Sequence, residues 1–573
     1  MQEDPNKITY FAQTNSRGKE VPFGIKRKDR ARHMYVIGKT GMGKSTLLEN
    51  MAIQDIRNGE GMAFIDPHGS TADRIMEYVP EHRIKDVVYF APFDMDYPVA
   101  FNVMEDVGYD KRHLVVSGLL AAFRKIWVDA WSARMEYILS NTLLALLEYE
   151  GSTLLDVNRM LINKAFRKKV VENVTDPIVK SFWVDEFANY TDRYTQDATP
   201  AIQNKVGQFT SNPLIRNIVG QAKSSFDIRK LMDEKKILIM NLSKGRVGEV
   251  NATLLGSMLV TKIYLAAMSR ADVPANVLNA LPNFYFYVDE FQNFANESFS
   301  DILSEARKYK LNLLIAHQYV EQMEEEVRDA VFGNVGTTVA FRVGPFDAET
   351  LETIFSPQFT QTDLVNLGFA QIYLTLMIDG VGSPPFSATT LPPFDPPPSK
   401  YVDQVIENSR REFGKPRAEV EDTIKKWQES DPVVQEPPKP KKSYGAASKP
   451  TPTTSPSRPV VQQPRENRPA PVAHHQQEEH KPPQHEAPPL EGSLSLRDAL
   501  ARVTRTKEAS EPPAPKPASK PAPRPITPDP SIDLRAALQN VAPQTAKKDE
   551  PAGLPEDVLR SMLAVDEGEN TAA

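Results

Sequence analysis

The 573-residue chain has no cysteine. That excludes disulfide scaffolds, cysteine-based zinc sites and thiol nucleophiles, and it leaves a reducing compartment open. A strong excess of either charge is also missing. The chain holds 68 basic against 75 acidic residues, net −7 with neutral histidines, which excludes a uniformly basic nucleic-acid coat but not a narrow basic channel. No apolar run approaches the ~20 residues that cross a bilayer. The first residues, MQEDPNKITY, show neither the basic nor the apolar region of a signal peptide. The expectation is a cytoplasmic protein.

Large apolar groups are nearly missing from the last quarter. Residues 431–573 hold 27 of the 48 prolines and one aromatic residue, Tyr444. A stretch so poor in burial cannot offset its ordering entropy, so it is predicted to be disordered. Its 19 basic and 19 acidic residues cancel, which leaves the whole net charge on the body. That body is long enough to bury a large core; at roughly 100–200 residues per domain the whole chain exceeds one compact unit.

Short apolar runs at 34–37, 62–65, 87–90, 237–240, 285–288, 311–316 and 337–341 predict strands, with helix-like sequence from Lys44 to about Asn58. Strands alternating with helices indicate an α/β protein with a mainly parallel sheet. Between them, residues 109–232 show apolar positions at helical spacing, such as Tyr137, Leu139, Leu143, Leu144 and Leu147, and predict an inserted all-α domain. The predicted division is an N-terminal extension or hairpin (1–33), two halves of one α/β domain (34–108 and 233–400), a helical appendix (401–430) and the tail (431–573). The basic run Lys26, Arg27, Lys28, Arg30 and Arg32 reads as a solvated turn or a nucleotide-proximal edge rather than a DNA groove.

Residues 38–45, GKTGMGKS, match the phosphate-binding loop G-x-x-x-x-G-K-[ST] between a strand and a helix. Glycines let backbone N–H groups turn onto phosphate oxygens, and the helix points its positive end at the same anion. Gly38, Lys39, Thr40, Gly41, Met42, Gly43, Lys44, Ser45 and Thr46 are therefore the candidate ATP-binding residues. Lys44 would reach the outer phosphates, and the Ser45 hydroxyl would ligate Mg²⁺.

The apolar run FYFYV ends in Asp289 and Glu290. Such a strand end suits an acid that holds Mg²⁺, Asp289, beside one that polarises the attacking water, Glu290. A second pair, Asp185 and Glu186, lies in the helical block and reads as a solvated helix face. Gln318, at the tip of a predicted strand, can touch the γ-phosphate or the water, while His317 beside it reads as structural. Arg307 lies between these elements, next to an apolar face made of Phe299, Ile302, Leu303 and Ala306. It either complements a helix dipole or reaches a neighbouring subunit's γ-phosphate as an arginine finger. Arg246 is a weaker candidate for that role.

The tail contains a repeat, Leu496–Val503 (LRDALARV) and Leu534–Val541 (LRAALQNV), with a looser copy at 559–563. Apolar residues at i, i+4 and i+7 on flexible tethers suit docking into a partner protein's groove. Chance similarity in a low-complexity segment is the alternative.

GKTGMGKST at 38–46, FIDPHG at 64–69, FYVDEF at 286–291 and AHQ at 316–318 together resemble the HerA/FtsK superfamily of ring ATPases. Within it they resemble the VirD4/TraG/TrwB type IV secretion coupling proteins. The resemblance covers roughly residues 20–400. It implies a RecA-like P-loop core, a homohexamer, and ATP-driven, Mg²⁺-dependent translocation of DNA through a central pore. It also implies that the all-α domain engages substrate and that the arginine preceding the sensor glutamine, here Arg307, acts in trans. Asp66 falls in the DPHG motif, in catalytic support or loop geometry. Coupling proteins usually carry N-terminal transmembrane helices, and this chain shows none. A membrane-bound secretion component docking the tail would then supply attachment at the inner face, or the protein would work away from membranes. The alternatives are a HerA-like helicase of DNA processing and a secretion or pilus motor acting on protein.

Overall fold

The strand-forming runs are apolar at every position rather than at alternate ones. MYVI, ILIMN and FYFYV offer no polar face, so each requires cover on both sides. The computed structural model describes residues 4–430, apart from 16–17, 106, 192, 195–197 and 296–297. The proline-rich tail and its repeated motifs lie outside the described residues.

Thirteen strands occur among those residues: β1 (Ile8–Thr14), β2 (Pro22–Lys26), β3 (Met34–Ile37), β4 (Gly61–Asp66), β5 (Val87–Phe90), β6 (Ile237–Asn241), β7 (Phe284–Val288), β8 (Leu311–His317), β9 (Thr337–Ala340), β10 (Gln371–Thr375), β11 (Met377–Ile378), β12 (Val381–Gly382) and β13 (Phe386–Thr390). Eleven form one sheet in the order β2-β1-β13-β10-β9-β3-β8-β7-β4-β6-β5. From β9 to β5 every pairing is parallel; from β9 to β2 every pairing is antiparallel. The parallel strands fall where the apolar runs predict them. The apolar runs do not predict strands β10 and β13, because burial alternates along QIYLT and FSATT and neither is apolar throughout.

Successive residues serve opposite faces of the sheet. Tyr35, Ile37, Ala63 and Ile65 join one core, and Met34, Val36, Met62 and Phe64 join the other. Helices Lys44–Arg57 and Ser70–Glu77 contribute Leu47, Leu48, Met51, Ala72 and Ile75 to the second core. Helix Glu249–Met268 fills the first. This helix corrects one expectation, since with the turn after it, it is long and apolar enough to cross a membrane. Most of it is buried inside the fold, packed on helix Arg112–Ile126, so its all-round apolarity has an internal cause.

The described residues between Tyr109 and Asp233 contain helices and no strand. The segments leading into and out of this block are stitched together: Ser225 and Ala100 exchange hydrogen bonds of 2.9 and 3.0 Å. Phe90 at the end of β5 packs against Phe101 and Phe226 beside that stitch. Helix Val402–Phe413 covers edge strand β5, with Ser409 Oγ accepting from the Tyr89 N–H at 2.9 Å. Helix Arg417–Glu429 lies on the helical block through Trp427, whose indole N–H donates to the Asp156 carboxylate at 2.9 Å.

The basic run that starts at the end of β2 is solvated only at Lys28 and Arg32, and it does not lie close to the phosphate loop. It precedes β3, whereas the loop follows that strand. Arg30 is 3% exposed. Its guanidinium makes paired bonds of 2.7 and 2.8 Å to Asp55, meets the Tyr287 hydroxyl at 2.9 Å and lies 3.5 Å over the Tyr285 ring. Arg27 pairs with buried Glu60, and Lys26 with Asp379. These cations bind the N-terminal hairpin and the helix after the phosphate loop to the sheet.

Candidate active site

Parallel pairing brings the C-terminal ends of β3, β8, β7 and β4 to one edge of the sheet. Val36 sits beside Ala316 and Val339, and Val288 beside Ile65 and Ile315. The chain leaves this edge from β3 into the loop 38–43 and then into helix Lys44–Arg57. The loop is anchored by Lys39 N–H to the Arg342 carbonyl at 2.8 Å and by Gly38 N–H to the His317 carbonyl at 3.3 Å. Two of its glycines are sterically required. A Cβ on Gly38 would come 2.5 Å from the Phe341 Cβ. Gly43 has φ +117° and would press its Cβ to 3.2 Å from the Phe341 ring.

Lys44 is buried and donates to the Gly38 carbonyl at 2.6 Å and the Lys39 carbonyl at 3.1 Å. Burial pushes its ammonium pKa down, against the attraction of Asp289 and Glu290. Ser45 Oγ donates to Asp289 Oδ2 at 2.8 Å. Burial pushes the Asp289 carboxyl up, opposed by that Ser45 hydrogen bond, while nearby Asp66 adds to the rise. Two hard oxygen ligands thus stand side by side at a helix N-terminus lined with backbone donors. This donor set fits a magnesium ion that completes its shell with water and phosphate oxygens. The described residues hold no cluster of three or more histidine or acidic side chains that would form an all-protein metal cage.

Glu290 follows in the left-handed region, at φ 48° and ψ 53°, a strained conformation for a residue with a Cβ and one that concentrates at functional sites. Its Oε1 lies 2.8 Å from His68 Nε2 and accepts from the Gln318 side-chain amide. Oε2 accepts from Asn293 Nδ2 at 3.1 Å and faces Lys244 Nζ at 3.9 Å. Desolvation alone would push this carboxyl up. The His68 and Asn293 hydrogen bonds and the Lys244 charge outweigh it, and the group sits below its ordinary value. Gln318 also accepts from the Thr40 hydroxyl at 3.1 Å, so it bridges the phosphate loop and Glu290.

His68, Asn293 and Lys244 were not singled out in the sequence. His68 lies inside FIDPHG, which was a usable signal; the other two had none beyond proximity to Glu290 and to the loop after β6. Asp66 takes the loop-geometry role. It is fully buried, and its carboxylate accepts from the backbone N–H groups of His68, Thr71 and Ala72 at 2.8–2.9 Å. It therefore ties down the start of helix Ser70–Glu77. His317 is buried, with the Tyr35 hydroxyl 3.2 Å from Nδ1. Burial, with the charges of Lys44 and Lys125, lowers its pKa to about 3.

Arg307 is not brought to this edge. It lies exposed on the turn Ala306–Tyr309, before β8, while Gln318 follows β8. Phe299, Ile302, Leu303 and Ala306 beside it are buried. Arg27, Lys28, Lys308 and Lys310 share an open cleft with Arg307. Arg246 stacks 4.5 Å from the Phe93 ring. Asp185 and Glu186 are exposed in the helical block, where Glu186 accepts from the hydroxyls of Tyr137 and Tyr190.

A parallel sheet, a strand–glycine loop–helix unit and an acid pair at the end of the next strand but one define a P-loop nucleotide-binding protein. The family model of the type IV secretion-system coupling protein DNA-binding domain matches residues 19–358. The chain belongs to that family. Among solved structures it is similar to the bacterial conjugative coupling protein TrwB lacking its first 70 residues (14% identity, 68% of this chain and 95% of that one, TM-score 0.47). It is also similar to the plasmid coupling protein TrwB in complex with ADP and Mg²⁺ (14% identity, 70% and 99%, TM-score 0.49). VirB4 of Thermoanaerobacter pseudethanolicus is a third (13% identity, 70% and 99%, TM-score 0.43). No curated protein matches the sequence.

Proposed function

We propose that this protein is an ATP-hydrolysing DNA translocase of the coupling-protein type, working as a homohexamer with DNA in its central pore. The observation that carries the hydrolytic part is the contact of Ser45 with Asp289 beside a Glu290 carboxylate held below its ordinary pKa. The family match supports the DNA part.

In this reading residues 38–46 cradle the triphosphate, and Ser45 and Asp289 hold Mg²⁺. When bound, the ion neutralises phosphate charge. Glu290 orients the attacking water and takes its proton. Gln318, bonded to both Thr40 and Glu290, links the γ-phosphate end of the loop to that base. Arg307 serves the neighbouring protomer's nucleotide, which agrees with its exposed place at the far end of β8. Residues 34–108 and 233–400 form the motor, 109–232 engage DNA, the hairpin (1–33) extends the motor's sheet, and the appendix (401–430) braces the motor against the helical block. The tail motifs Leu496–Val503 and Leu534–Val541 dock a partner protein, a membrane-bound secretion component being the one that would recruit a cytoplasmic motor.

The test is ATPase activity of the full chain with and without double- and single-stranded DNA, across a salt series. The expected outcome is Mg²⁺-dependent hydrolysis stimulated by DNA, with stimulation falling steeply as salt rises. Hydrolysis indifferent to every DNA would replace this reading with a motor acting on protein.

A further inference from the structure

The turn that carries Glu290 is held from outside the sheet. Residues Phe291–Asn293 form a single helical turn, closed by Phe294 and Ala295 N–H groups donating to the Phe291 carbonyl at 2.9 Å. Among the described residues, the carbonyls of Gln292 and Ala295 then receive no backbone donor. Both accept instead from the ammonium of Lys125, the Gln292 bond measuring 2.6 Å. Lys125 comes from the last turn of helix Arg112–Ile126, the first long helix of the inserted block.

Two hydrogen-bonded steps then lead to the carboxylate. Asn293 lies between the two carbonyls that Lys125 grips. Its side-chain amide donates to Glu290 Oε2 at 3.1 Å and to the Glu290 carbonyl at 3.0 Å. The turn has few other places to go. The Phe291 ring packs 5.1 Å from Phe299 and 5.3 Å from His317, and the Phe294 ring lies where a side chain on Gly256 would be. Placing an ammonium here is unfavourable in itself, since desolvation, partly offset by the charge of Glu324, lowers its pKa to about 8. The two carbonyls it satisfies are what offset that burial.

We infer that Lys125 is a positioning residue for hydrolysis: through the Gln292 and Ala295 carbonyls it sets the turn, and through Asn293 the carboxylate of Glu290. The helical block thereby holds the catalytic base, and a shift of helix Arg112–Ile126 against the sheet moves that base without touching the phosphate loop. The catalytic half of this inference rests on the function proposed for Glu290.

Two measurements on the full-length protein test it. In steady-state ATPase assays Lys125→Met should lower kcat by about 10- to 100-fold, the scale of a misplaced catalytic group. ATP affinity by calorimetry should stay within about twofold, because no phosphate-loop contact is removed. Lys125→Arg, which keeps the donors, should recover most of the lost rate. Adding Asn293→Ala to Lys125→Met should lower kcat little further, since both act through one path. A kcat near wild type, an equal loss of ATP affinity, or fully additive losses would overturn the inference. Amide hydrogen exchange reads the positioning without hydrolysis. Residues 291–295 should exchange faster in Lys125→Met while residues 38–46 keep their protection; unchanged protection of the turn overturns the inference even if the wild-type chain hydrolyses nothing. If instead the turn loosens and Glu290→Gln hydrolyses at the wild-type rate, the role proposed for Glu290 is what fails.

Discussion

Asp66 and Glu290 end or follow adjacent parallel strands, β4 and β7, yet their surroundings assign them opposite work. Asp66 spends both oxygens on backbone N–H groups and has no exposure. Asp66→Asn puts an amide donor against those N–H groups and should lower stability by about 1–3 kcal/mol, read as a lower thermal midpoint. Glu290 accepts only from side chains and carries a strained backbone. Glu290→Gln should leave the midpoint nearly unchanged and ATP binding intact while reducing hydrolysis to background in a phosphate-release assay. The glycine loop and the acid pair were legible because each is a contiguous run with its own chemistry. The groups that tune Glu290 were less so: His68 and Lys244 follow other strands, β4 and β6, and reach it only through parallel pairing, while Asn293 reaches it through the local turn after β7. Likewise Arg30 looks like one more surface cation until folding sets Asp55 and Tyr287 around it.

At the scale of elements, helix Glu249–Met268 connects the sheet, the helical block and the turn behind Glu290. Gly256 lets it approach that turn, because a Cβ there would lie 2.2 Å from the Phe294 ring. Gly256→Ala should destabilise the protein by about 1–3 kcal/mol through overpacking, measured by chemical denaturation, and should lower kcat as the turn shifts. The parallel strands could be read from sequence because burial on both faces demands unbroken apolar runs. Strands β10 and β13 of the antiparallel rim could not: β13, with the sequence FSATT, buries only alternate residues and owes its place to pairing with β1 and β10. The membrane-like composition of Glu249–Met268 shows the converse limit, since a helix enclosed by protein needs the same apolar surface as one enclosed by lipid.

For the whole molecule, two buried histidines make stability depend on acidity. Burial lowers His33 to about 4 and His317 to about 3. Above pH 6.5 both are neutral whether folded or unfolded and add no pH dependence. Below 6.5 the unfolded chain takes up protons that the folded one refuses, so stability falls as pH drops toward 4. For His33 alone the loss is on the order of 3 kcal/mol. Thermal midpoints should therefore decline from pH 6.5 to 4, and His33→Asn, which can still accept the Leu313 N–H and tolerates the positive φ, should flatten that decline. The assembly is tested by mixing. Arg307→Ala protomers and Lys44→Ala protomers, each inactive alone, should regain ATPase activity when combined; silence at every ratio would remove Arg307 from a neighbour's site.

Strand β8 carries Arg307 before its first residue and Gln318 after its last. Seven extended residues at about 3.3 Å each make a rod of about 23 Å, and hydrogen bonds to β3 and β7 prevent it from sliding. With Arg307 assigned to the adjacent protomer, one stiff linkage touches two fuel chambers. Firing in one would reset the geometry of the next, so turnover around such a ring would run in phase order rather than at random.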